Sequence, residues 1–86
     1  MLNHSKVFIG DVIMVKQAVG LRIKQLRHLK NMTQEQLSFE CALSRSYIGD
    51  VEVGKRNVSI VTLLKIIKSL DTDLETFFDS DLFRGL

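Results

Sequence analysis

Residues 33–54, Thr33-Gln-Glu-Gln-Leu-Ser-Phe-Glu-Cys-Ala-Leu-Ser-Arg-Ser-Tyr-Ile-Gly-Asp-Val-Glu-Val-Gly54, constrain this chain more than any other stretch. They read as two short helices joined by a tight turn. Thr33 offers an N-cap oxygen, and Gln36 three residues later completes a capping box. Leu37, Ser38 and Cys41 then fall on one helical face. Ala42-Leu43 interrupts the pattern, and Ser44 supplies a second N-cap oxygen. From Arg45 the apolar positions return as Ile48, Val51 and, less buried, Val53, until Gly54 provides a C-terminal stop.

The product is one helix with Arg45-Ser46-Tyr47 in its exposed first turn, braced by another across a short turn. That is the helix-turn-helix arrangement, in which the second helix reads DNA. Reading requires side chains that reach base edges in the major groove from the first turns of the helix. Arg45 suits this, because its planar fork can donate twice to guanine O6 and N7. Ser46 can donate to or accept from a base or a phosphate. Tyr47 offers a hydroxyl to phosphate and a ring to the thymine methyl. Asp50, one turn on, is unfavourable near phosphates unless it accepts from cytosine N4 or pairs with Arg45. A separate set would hold the backbone: Gln34 and Ser44 at the two helix N-termini, and Lys55, Arg56 and Asn57 after the second helix.

Composition agrees with a small helical domain of 86 residues, 45% hydrophobic and without proline. A chain of this size buries about 60–65% of the surface its unfolded form exposes. One cysteine excludes an internal disulfide and suits a reducing cytoplasm. The histidines and the cysteine, at 4, 28 and 41, have no metal-ligand spacing, and no cofactor site is expected. Cys41 reads as a small core residue, and His4 and His28 as surface residues. No Ser/His/Asp or Cys/His combination sits in a catalytic context, so the chain is not expected to be an enzyme. The formal charge of +2 conceals a split. Residues 1–70 hold eleven Lys/Arg against five Asp/Glu, a net +6, whereas residues 71–86 hold one against five, a net −4. A basic body with an acidic end fits a surface turned to phosphate and an opposite end turned away. No run of about 20 apolar residues is present to cross a membrane. The apolar start lacks a small-residue cleavage site, and Asp11 interrupts it.

Along the chain, residues 1–15 carry the runs Val7-Phe8-Ile9 and Val12-Ile13-Met14-Val15 around Gly10-Asp11. They are compatible with a small hairpin, a frayed arm or an extra turn of helix, and Met14 offers an alternative translation start. Residues 16–30 form a helix with Val19, Ile23, Leu26 and Leu29 at helical spacing and Lys16, Arg22, Lys24 and Lys30 on the solvated side. Ser59 caps a helix over 60–70, whose Ile60, Leu63, Leu64, Ile66, Ile67 and Leu70 exceed one narrow stripe, so that it is either central to the core or shared between core and partner. Thr72 and Glu75 make a further capping box, opening a short helix through Leu74, Phe77 and Phe78. Residues 80–86 form a tail. The domain proper is therefore expected over 16–79.

From Val19-Gly-Leu-Arg-Ile-Lys-Gln-Leu-Arg27 through the helix pair to Leu74-Glu-Thr-Phe-Phe78, the chain resembles the phage repressor and Cro-like helix-turn-helix proteins. It looks closest to the controller proteins of restriction–modification systems. The resemblance implies an all-α, five-helix fold with base-contact positions at Arg45, Ser46 and Asp50 and a mixed one at Tyr47. It also implies a partly buried ion pair between Arg27 and Glu52 that ties the first helix to the recognition helix. Three departures stand out. Asn31 and Ala42 occupy turn positions where such proteins commonly carry glycine; asparagine tolerates a left-handed backbone, and alanine there costs on the order of 1 kcal/mol. Phe39 occupies a position that is usually polar, and is expected to be covered by the N-terminal arm or by a partner.

One recognition helix spans only a few base pairs, so the expected form is a homodimer on a palindrome, with half-sites about 34 Å apart. Phe77, Phe78, Leu82, Phe83 and outward parts of the fourth helix are the expected dimer surface. Rival readings are an antitoxin that represses its own operon, and a protein-interaction module that docks a toxin or an RNA polymerase subunit.

Overall fold

The computed structural model describes residues 8–86, which form five α-helices: α1 (Ile9–Leu29), α2 (Gln34–Cys41), α3 (Arg45–Glu52), α4 (Ile60–Ser69) and α5 (Leu74–Phe78). A 3-10 turn, Asp81–Phe83, closes the chain. Each short helix is started by a side-chain cap. Thr33 accepts from the Gln36 N–H at 3.0 Å while Gln36 returns a bond to the Thr33 N–H at 2.8 Å. Ser44 and Ser59 cap α3 and α4 through the N–H groups of Tyr47 and Thr62. For α5 the cap is Asp73, whose carboxylate accepts from the Thr76 N–H at 2.8 Å, and not Thr72. Asp71, in the left-handed conformation (φ 56°), ends α4 just before this cap. The same hydrogen bond holds the Asp73 carboxyl below its ordinary pKa.

The core gathers Ile23, Leu37, Cys41, Ile48, Val51, Leu63, Ile66, Ile67, Leu70 and Phe77, at least one from every helix. Burial pushes the Cys41 thiol pKa up, and its S–H donates to the Leu37 carbonyl, so it is held as a protonated apolar group.

Several expectations require correction. The first helix begins at Ile9 and not at residue 16, so residues 9–15 are helical and form no hairpin; residues 1–7 lie outside the described part. Asp11, in the first turn, accepts from the Phe8 N–H and places a negative charge at the positive end of the helix dipole. Leu29, the last residue of α1, is exposed. Arg22 is not simply solvated: it donates to the carbonyls of Phe77 (2.8 Å) and Thr76 (2.9 Å) at the C-terminal end of α5. Lys30 pairs with Asp71. The tail is structured, since Phe83 packs on the core and its ring lies 5.9 Å from that of Phe77.

Candidate nucleic-acid interface

The angle of α3 is set from below. Gly20 of α1 lies so close to α3 that a Cβ there would collide with the carbonyl oxygens of Val51 and Glu52. The two backbones therefore touch, and only glycine permits it. Beside this contact Arg27 Nε donates to Glu52 Oε2 at 2.7 Å and Nη2 to Oε1 at 2.9 Å, a bidentate pair. Arg27 and Glu52 are 6% and 4% exposed, so both charges are removed from water and depend on each other. Arg27 Nη1 also donates to the Met32 carbonyl at 2.7 Å, and Gln34 Nε2 donates to Glu52 Oε1 at 3.1 Å. One arginine thus ties α1, the link into α2, and α3, while Gln34 ties in α2. The hydrogen bonds that Arg27 donates to Glu52 push its pKa further up, against the opposing effect of burial, so the guanidinium stays charged. The Gln34 side chain is half-buried and turned to Glu52, so at most one of its amide donors is left for phosphate. Neither Gly20 nor the Gln34–Glu52 bond is legible as a site from residue type or spacing.

Between α2 and α3, Ala42 adopts φ 57°, ψ 40°. The tight turn is preserved with the strained alanine in place. Asn31 is left-handed too, at φ 55°.

The outer face of α3 carries the residues singled out for reading. Arg45 and Ser46 are exposed in its first turn, and among the described residues neither makes a side-chain hydrogen bond or ion pair. Tyr47 is half-buried and packs its ring against the core. Asp50 pairs with Arg56, Oδ2 to Nε at 3.6 Å, and not with Arg45. The cause lies in the backbone. Gly54, at φ 81°, reverses the chain, the Lys55 N–H bonds the Asp50 carbonyl at 2.9 Å, and Arg56 is carried back beside α3. Its guanidinium carbon then lies 5.1 Å from the centre of the Tyr47 ring. Lys55, Arg56 and Asn57 are all exposed in this loop.

The aromatic residues expected at a dimer surface separate. Phe77 is fully buried and belongs to the core, so it is removed from that set. Phe78 is 38% exposed with its ring edge-on to Phe77 at 5.0 Å, and Leu82 and Phe83 are half-buried. Phe39, at 86% exposure, is covered by none of the described residues. No helix among the described residues is long and apolar enough to cross a membrane, and no metal-binding cluster occurs among them.

A short helix with free first-turn donors, held by a buried ion pair and flanked by a basic loop, defines a helix-turn-helix protein. Residues 23–77 match the family model described as helix-turn-helix. The control protein C.BamHI of Bacillus amyloliquefaciens is 42% identical over 66 residues, covering 76% of this chain and 82% of that protein. The restriction-modification controller protein C.AhdI from Aeromonas hydrophila superposes with a TM-score of 0.70 at 40% identity, over 80% of this chain and 98% of that one. C.Esp1396I, a controller solved as a tetramer in complex with its natural 35 base-pair operator, gives 0.71 at 38% identity, over 74% of this chain and 84% of that chain. The chain belongs to the helix-turn-helix family of DNA-binding transcriptional regulators and, within it, to the restriction–modification controller proteins.

Proposed function

We propose that this chain works in the cytoplasm as a controller that binds a palindromic operator as a homodimer through the first turn of α3. The observation that carries this is the pairing of exposed, uncommitted Arg45 and Ser46 with a helix held at a fixed angle by Arg27 and Glu52. Arg45 reads a guanine edge, and Ser46 and Tyr47 contact the neighbouring base or phosphate. Asp50 acts on Arg56 as a positioning residue. Lys55, Arg56, Asn57 and Ser44, with the N–H groups at the start of α2, hold phosphates and set the register. Phe78, Leu82 and the outer edge of Phe83 join the two copies.

The test is a salt titration of binding to a duplex selected from a random pool and to a scrambled duplex. Lys55→Ala should weaken both and make the slope of log affinity against log salt shallower by roughly one unit for each subunit. Arg56→Ala should do the same to a smaller extent, because Asp50 already offsets part of its charge. Selection that enriches no duplex, with no binding at low salt, would remove this function. Phe39 favours a second and compatible reading, in which the outer face of α2 docks a protein partner. Phe39→Ser should then abolish regulation in cells without changing operator affinity.

A further inference from the structure

Gly20 and Arg22 stand two residues apart on α1, about 200° around the helix, and so face nearly opposite ways. The Gly20 side, to which Arg27 returns two turns later, meets α3 through the close backbone approach and the Arg27–Glu52 pair. The Arg22 side meets α5. There every guanidinium nitrogen is committed: Nε donates to the Phe77 carbonyl at 2.8 Å, Nη2 to the Thr76 carbonyl at 2.9 Å, and Nη1 to Gln25 Oε1 at 2.7 Å. Gln25 thus orients the fork from one turn along α1, and Arg22 itself is half-buried. What the fork holds is the end of a helix only five residues long. The second carbonyl it grips belongs to the peptide bond into Phe78, whose ring lies 5.0 Å from Phe77 and 4.9 Å from Phe83.

We propose that Arg22 is a positioning residue for half-site spacing: it locks the end of α5 to α1 and thereby fixes the separation of the two α3 helices on the operator. The inference rests on the homodimer reading above, in which Phe78, Leu82 and Phe83 join the copies. In a two-fold dimer the separation of the reading helices is set by the path from the interface to α3, traversed once in each copy. Here that path runs from Phe78 through α5 to Arg22, along α1 to Gly20 and Arg27, and into α3. The joint of α1 with α3 is rigid, because the backbones touch and a buried bidentate pair lies beside the contact. At the joint with α5 the buried Phe77 ring supplies apolar contact, which is non-directional. The Arg22 fork on two successive carbonyls adds the direction. DNA makes that direction matter, since one added base pair moves a half-site by about 3.4 Å and turns it by about 34°.

The experiment compares the full-length protein with Arg22→Ala and Arg22→Lys by fluorescence anisotropy. The duplexes are the operator selected from a random pool, the same operator with one base pair added or removed at its centre, and a single half-site. Lysine keeps the charge but offers one nitrogen in place of the fork, so it separates geometry from electrostatics. The wild-type protein should prefer the selected spacing. In both variants that preference should fall by about fivefold or more, the equilibrium factor of roughly one net hydrogen bond. Affinity for the single half-site and its dependence on salt should not change. The preference is a ratio of affinities within one sample, so a lower folded fraction cancels and a purely structural role leaves it at the wild-type value. Equal losses on every duplex would therefore overturn the proposal, as would full preference in Arg22→Lys, where charge alone would suffice. A weaker single half-site with a shallower salt slope would also overturn it, by making Arg22 a phosphate contact. Wild-type protein indifferent to spacing would remove the homodimer reading and this inference with it. A wild-type preference that survives in both variants would remove this inference alone.

Discussion

Arg27 and Arg45 belong to the same short domain and are placed in opposite conditions. Arg27 is buried, and three of its nitrogens are committed, two to Glu52 and one to the Met32 carbonyl. Arg45 is exposed and uncommitted among the described residues. The difference is what a reading helix needs. A charge taken out of water is costly unless every donor is matched, so the Arg27 site tolerates almost no freedom and fixes the helix. A donor left in water has only hydration to exchange, so Arg45 can give that up for a base edge of matching geometry. On the proposed reading, rigidity and specificity are supplied by the same residue type in two places, and neither place can do the other's task.

The strongest way to break this comparison is at the buried site. Glu52→Ala leaves the Arg27 charge without its partner and should destabilise the fold by roughly 3–5 kcal/mol in urea unfolding. A loss below about 1 kcal/mol, the value of an exposed pair, would place Arg27 in the same class as a surface arginine. Next in size is the contact that lets the pair form. Gly20→Ala should cost about 1–3 kcal/mol through overpacking, since the colliding atoms are α3 carbonyls that cannot rotate away. Its thermal midpoint should fall, and its operator affinity should fall more than that of other variants of equal stability, because the α3 angle moves. Relief of strain should be smaller and of opposite sign. Ala42→Gly should raise stability by about 1 kcal/mol at most, as the left-handed backbone no longer opposes a Cβ. Smallest is Arg45→Ala, which should change folding stability by no more than about 0.5 kcal/mol.

Much of the fold was legible in the sequence because its signals are local. Thr33, Ser44 and Ser59 lie beside the N–H groups they cap, and the apolar spacing of α2 and α3 marks the faces they bury. What was not legible depends on contacts distant in sequence. Arg22 reads as one more solvated cation until α5 is laid against it. Phe77 and Phe78 have identical local signals, and only the packing sends one ring inward and leaves the other outside. Asp50 has two basic residues within reach by sequence, and the reversal at Gly54 decides for Arg56. The start of α1 was ambiguous for another reason. Val12-Ile13-Met14-Val15 is a short continuous apolar run, which periodicity alone cannot assign to helix or strand.

The measurement that bears most directly on the division between holding and reading is the specificity ratio of Arg45→Ala, its affinity for the selected operator relative to a scrambled duplex. Binding to the operator should weaken by about 1–3 kcal/mol for each half-site, while binding to the scrambled duplex stays near the wild-type value. Equal losses on both duplexes would make Arg45 a phosphate clamp, and would contradict the assignment of the first turn of α3 as the reading surface.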